Sequence, residues 1–312
     1  WRRGWHPEKP KTKSTDSNIL VIGGGPAGLE AATTLSKRGY RVTIAEKEDQ
    51  LGGRINHESI LPGMSSYQRV IDYRYNQISQ SELVETFLGN ELKKEDVLGL
   101  GFDHVVTATG SKWNLSLLNE KLTPFNIDEM PNVLTPDDIF NGAETKDEIL
   151  IYDFDYYYMG GLLAEHLTNQ GKKVSIISPF PSVSPWSFMS NEVNEIALRL
   201  HEKNIKTNKE EIIQIIEQHH VVTKNLVSHE TRETKYKTLL IVGNRVPQRK
   251  LYDELISEGN LSDHGIKSIN NIGDSNAPGA VVHAIYSGHL YANTFDEGAQ
   301  ESDLKFEYAS IQ

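Results

Sequence analysis

The 312 residues include no cysteine. That excludes disulfides, thiolate ligation of an iron–sulfur cluster and a cysteine nucleophile within this chain. No apolar run approaches the roughly 18 residues that a membrane-spanning helix needs. No basic segment followed by an apolar one reads as a signal peptide. Positive charge is in the minority: 32 Lys and Arg stand against 43 Asp and Glu, a formal net charge of −11. Nucleic acid and anionic membranes would both repel such a chain, so neither is an expected partner, and the expected location is cytoplasmic. No G-x-S-x-G elbow marks a hydrolase. The 11 histidines show no H-E-x-x-H spacing. His219 and His220 would point to opposite faces of a strand, and His283 and His289 read as structural or solvated, so no metal site is expected. What remains is an ordinary soluble composition, 38% hydrophobic, long enough for two domains. The chain opens on Trp1 rather than Met, which reads either as a numbering choice or as a larger polypeptide that has lost its front.

Residues 1–16 are rich in Lys, Arg and Pro and read as a connecting segment. The apolar run 18–22 then has the pattern of a strand buried on both faces. A glycine turn follows, with a helix over 29–37, its stop at Gly39 and a strand over 40–45. The same grammar returns as a strand over 148–152, a helix over 161–169 and a strand over 173–178. Further strands are expected over 102–107, 212–217, 219–223, 238–242 and 269–272, and a closing helix over 280–293. Residues 111–143 read as loop-rich, and the acidic tail from Glu297 as peripheral. The expected fold is α/β, two doubly wound Rossmann-like domains with the second inserted into the first. The expected boundaries are 17–142 with 237–312 for the first, and 143–236 for the second.

Gly23-Gly24-Gly25-Pro26-Ala27-Gly28 satisfies G-x-G-x-x-G, between a strand and a helix. Gly23 permits the tight turn, Gly25 lets a pyrophosphate approach the backbone, and Gly28 lets the helix pack close to the sheet. The helix N-terminus offers free N–H groups and partial positive charge to phosphate. Glu46, at the end of the next strand with Lys47 beside it, lies at the right distance to take a ribose 2′-hydroxyl. Its charge disfavours a 2′-phosphate. Gly52-Gly53 can pass beside a diphosphate that Arg54 neutralises. Gly273-Asp274 ends a late strand, where Asp274 can accept a ribityl hydroxyl. Together these residues predict an adenine-dinucleotide or ADP site.

These motifs, with Ala108-Thr109-Gly110, follow the two-dinucleotide-domain pattern of the disulfide reductases, glutathione reductase among them. A closer resemblance lies in Trp1-Arg2-Arg3-Gly4-Trp5-His6-Pro7-Glu8, Leu61-Pro62-Gly63, Asp72-Tyr73-Arg74 and Ala108 to Trp113. On these the chain resembles, over nearly its whole length, the C-terminal half of the trimethylamine, dimethylamine and histamine dehydrogenases. The resemblance implies an ADP or FAD site at Gly23, Gly25, Pro26, Ala27, Gly28, Glu46, Lys47, Gly53, Arg54, Ala108, Thr109, Gly110, Gly273 and Asp274. It also implies that FMN and a [4Fe–4S] cluster belong to a preceding part of the family chain, so no amine-oxidising residue is expected here.

In the second strand–turn–helix unit, alignment puts Gly160 at the third glycine. Asp155 and Tyr157 then fall at the first two. An acid and a ring at those places oppose a pyrophosphate, so NAD(P) binding there is doubtful. The chain therefore reads as the nucleotide-binding module of an amine-dehydrogenase-like flavoprotein. Two alternatives stay open. One is an FAD-dependent NAD(P)H oxidoreductase. The other is a docking module for an FMN-barrel subunit or an electron-transfer flavoprotein.

Overall fold

A computed structural model describes residues 10–115, 125, 127 and 130–296. The Trp1–Glu8 string and the tail from Glu297 lie outside them. The chain runs β1 (Asn18–Ile22), α1 (Pro26–Arg38), β2 (Arg41–Ala45), α2 (Ile55–Glu58), α3 (Gln68–Ser79), β3 (Val84–Phe87), α4 (Lys94–Gly99) and β4 (His104–Thr107). Next come β5 (Ser111–Trp113), β6 (Val133–Leu134), α5 (Pro136–Phe140), β7 (Glu148–Asp153), α6 (Met159–Asn169) and β8 (Lys173–Ile177). They lead to α7 (Val193–Glu202), β9 (Lys206–Asn208), β10 (Glu211–Ile216), β11 (His220–Asn225), β12 (Thr231–Lys235), β13 (Thr238–Val242) and β14 (Arg245–Pro247). The last described elements are α8 (Lys250–Ile256), β15 (Ser268–Asn271) and α9 (Val281–Thr294).

The chain divides into two units. The first takes the described residues up to Ile55, then Gln68–Gly110, then those from Pro247. Its five strands pair in parallel in the order β15-β4-β1-β2-β3. Ile19, Leu20 and Val21 of β1 are essentially inaccessible, as a strand covered on both faces requires. Each such side chain contributes about 1.5–3 kcal/mol by leaving water. The first helix starts at Pro26 rather than at residue 29, because proline is pre-set for the first helical turn. It stops at Gly39, whose positive φ of 99° lets its N–H reach back to the carbonyls of Leu35 and Ser36.

The second unit takes Asn56–Tyr67 and Ser111–Val246. Its parallel sheet has the order β6-β13-β7-β8-β9, with a separate antiparallel sheet β10-β11-β12. Alternation along β7 serves two cores: Ile149 and Ile151 join one apolar cluster, Leu150 and Tyr152 the other. The 111–143 stretch is more than loop. Two of its segments are strands, β5 paired with β14 and β6 with β13, and α5 is capped by Thr135. These pairings draw the second unit out to residues 111–246, beyond the expected 143–236. They went unread because each strand is only two or three residues long.

One buried clasp joins Ser14, Arg38 and Tyr40 to Asp296, the last described residue. The Asp296 carboxylate accepts from both Arg38 Nη2 and Ser14 Oγ, at 2.8 and 2.6 Å, and from the Tyr40 hydroxyl. Burial alone would raise its pKa, but the hydrogen bonds and the Arg38 charge override that and hold it at about 2, below the usual 3.8. The stabilisation is therefore full above the ordinary carboxylate range and is lost as pH falls toward 2. Asp296→Ala should cost about 3–5 kcal/mol at neutral pH, because it leaves the Arg38 charge buried without its partner. Thermal unfolding should show a large drop that narrows as pH falls from 4 toward 2. A gap independent of pH would disprove the clasp.

Candidate nucleotide site

The turn between β1 and α1 is made of backbone. Gly23 has φ of 110°, and a Cβ there would collide with the carbonyl oxygen of Ala108. A Cβ on Gly28 would collide with the carbonyl oxygen of Gly23. Gly25 differs: a Cβ there would meet nothing within 4 Å. Gly25 is also the N-cap of α1. It supplies no side-chain cap, and the first turn carries no acid. The helix start therefore presents backbone amides and partial positive charge beside open space. From β1 the chain runs outward through β2 to β3 and then returns to the other side of β1 as β4, so the strand order reverses between β1 and β4, the switch point where open α/β sheets bind ligands. Gly23 and Ala108 follow these two strands.

All 14 expected residues belong to the first unit, at the carboxyl ends of β1, β2, β4 and β15 or just beyond. Glu46 is buried, accepting from Gly24 N–H at 2.6 Å through one oxygen and from Glu48 N–H at 3.0 Å through the other. An ionised carboxylate has about four acceptor sites, so further hydroxyls can be taken. Lys47 is half-exposed and ion-paired with Glu48 at 3.1 Å. Gly53, with φ of 55°, brings its Cα side against Gly25: a Cβ there would lie 3.2 Å from Gly25 Cα. Ala108 donates to Ile22 O at 2.7 Å, Thr109 Oγ1 donates to Gln248 O at 2.6 Å, and Gly110 is open. Gly273 packs on Ala27. Arg54, expected opposite a diphosphate, pairs with Asp274 at 2.8 Å. Asp274 also accepts from Gly279 N–H at 3.0 Å.

The junction between β7 and α6 is built differently. Five residues, 154–158, replace the three of the first junction. A Cβ on Gly160 would strike the buried carboxyl of Asp153, so this glycine makes room for a side chain rather than for a backbone turn. Asp155, placed by alignment at the first glycine, donates its N–H to Asp153 at 3.3 Å. Tyr157 lies against Trp186, with ring centroids 5.5 Å apart. Phe154 covers Gly243, whose Cβ would strike its ring. β13 and β7 flank this sheet's switch point, so Phe154 lies over Gly243 at the strand ends that border it.

A family model for pyridine nucleotide-disulphide oxidoreductases matches residues 17–265. The chain belongs to that family. As a pyridine nucleotide-disulphide oxidoreductase domain it has curated and structural relatives among the amine dehydrogenases. It is 29% identical to dimethylamine dehydrogenase of Hyphomicrobium sp. (strain x), over 95% of this chain and 44% of that one. It superposes on histamine dehydrogenase from Rhizobium sp. 4-9 with a TM-score of 0.91 and 39% identity, covering 96% of this chain and 45% of that one. The chain thus spans less than half the length of these relatives. Thioredoxin reductase of Lactococcus lactis shares the fold at 17% identity, a TM-score of 0.59, and coverage of 89% and 97%.

Two features of this family member escape motif reading. Gly24, the free position in G-x-G, lies against the Leu51 side chain, which must shift before a side chain can stand there. The Asp153 carboxyl at the second junction is pushed up to about 7 by burial and then by the Asp155 charge. Such a group destabilises the fold progressively as pH rises through roughly 4 to 7, where the unfolded chain has already lost its proton. One pKa unit corresponds to ~1.4 kcal/mol. Asp153→Asn should flatten the fall in urea-unfolding midpoint between pH 5 and 7.5. An equal slope in both proteins would refute a buried, protonated Asp153.

Proposed function

We propose that the first unit binds the ADP moiety of a nucleotide, as ADP itself or within FAD. The carrying observation is the open space at Gly25, set at an uncapped helix N-terminus. Pyrophosphate would lie on the amides after Gly25, flanked by Gly53, and the ribose would reach the buried Glu46. Bound FAD would supply a hydride-accepting flavin, whereas bound ADP would act as part of the fold. Asp274 accepts from Arg54 and Gly279, one bond on each oxygen, and like Glu46 keeps acceptor sites for a ribityl hydroxyl, so FAD fits as well as ADP. On this reading the chain is a nucleotide-binding module of an amine-dehydrogenase-like oxidoreductase. FMN, the cluster and the amine-oxidising site are supplied from outside these residues, by a barrel segment or subunit, with an electron-transfer flavoprotein as a fitting acceptor.

The reading is tested by calorimetry with ADP, FAD and NADH. ADP should bind and raise the melting temperature, by linkage. Gly25→Val should abolish binding yet melt like wild type without ligand, because its Cβ meets nothing. Gly28→Val should fail in folding instead. Glu46→Gln should weaken ADP binding by about 1.5–3 kcal/mol through loss of a charge-assisted bond. Stoichiometric ADP in the Gly25→Val protein would defeat the assignment.

The Phe154 ring over Gly243, at the switch point of the second sheet, favours the same reading over an NAD(P)H-dependent reductase. NADH should show no micromolar binding and no turnover with an artificial electron acceptor. Either result in the opposite sense would revive the reductase reading.

A further inference from the structure

The second unit has a cavity of about 250 Å³ that the nucleotide site does not use. It lies between α7 and β9, the edge strand of the second sheet, beside the loop that follows β8. Its deep wall is apolar: Val183, Leu200 and Ile205 are at most 6% exposed. Its lip is basic, formed by His201, Lys206 and Lys209, all exposed. Ser182 and Thr207 add hydroxyls between the two zones, and no acidic side chain is among the lining residues.

That polarity runs against the rest of the molecule. The chain carries an excess of 11 negative charges, and many of its cations are tied to carboxylates, as at Lys94–Glu258, Lys173–Glu148 and Lys267–Asp103. Lys206 and Lys209 form no ion pair among the described residues. Two lysines without ion pairs beside an apolar wall are complementary to a ligand with a matching division. From this we infer that the cavity is a binding site for a small amphipathic anion, a carboxylate on a short hydrocarbon. The hydrocarbon would lie against Val183, Leu200 and Ile205, and the carboxylate would meet Lys206 and Lys209. The volume sits just below the ~300 Å³ at which drug-sized pockets begin, so the occupant is compact. A purely ionic ligand would leave the apolar wall unused, and a neutral one would leave the lysines unpaired.

Hexanoate is the probe, with hexanamide and inorganic phosphate as controls, followed by ligand-observed NMR and calorimetry on the full chain. Hexanoate should bind saturably at one site, hexanamide and phosphate markedly less well. Lys206→Gln combined with Lys209→Gln should weaken hexanoate by about tenfold, the yield of two partly exposed charge pairs. Ala197→Phe, on the helical wall of the cavity, should block hexanoate while ADP binding persists, which also shows that the variant is folded. Equal binding of hexanamide, or hexanoate binding unchanged in both variants, would overturn the proposal. So would the absence of saturable binding in the wild type.

Discussion

The first unit depends on one backbone-to-backbone contact. The Cα of Gly28 lies so close to the Gly23 carbonyl that no side-chain carbon fits between them. This contact fixes how near α1 comes to the sheet, and so where the helix start points. Gly23 is itself pressed against Ala108, which ties the β1 turn to the end of β4 across the switch point. On the far side α9 closes on α1 through a similar approach of Gly288 to the Ala27 carbonyl. Three glycines thus replace side-chain packing with fixed backbone spacing. Gly25, alone within the motif, has open space where a Cβ would stand.

The second unit keeps the same strand–turn–helix frame and fills it differently. The longer turn carries Phe154 over Gly243, while the Asp153 carboxyl rests against Gly160. An apolar ring and a buried acid stand where the first unit has an open helix start. A buried carboxyl is costly when ionised, and here burial and Asp155 together drive it toward the protonated form. The frame survives because parallel strands covered on both faces still need a helix packed against them.

Much of this was legible in the residues. The run from Asn18 to Ile22 and the glycines after it have a local cause, the covering of one strand and the turning of one chain, so the first junction could be read directly. The strand at 238–242 is likewise a continuous apolar stretch and was read to the residue. Features set by distant neighbours were not readable. Nothing near Gly24 announces Leu51, and nothing near Arg54 announces Asp274, 220 positions away. Helix α3 was missed because its buried face includes a charge, Arg74, which is tolerable only against Glu30 at 2.7 Å. Gly160 was recognised, but its reason lay in the side chain of Asp153, which alignment of turns could not supply.

The central claim is that these residues hold a diphosphate-bearing adenine nucleotide at the first junction. Its most direct test is to denature the purified protein and identify what is released by chromatography and absorbance. The account predicts one equivalent of ADP or FAD per chain, absent from Gly25→Val protein prepared in parallel. Release of NAD(P), or of no adenine nucleotide from a protein that also fails to bind added ADP, would contradict it.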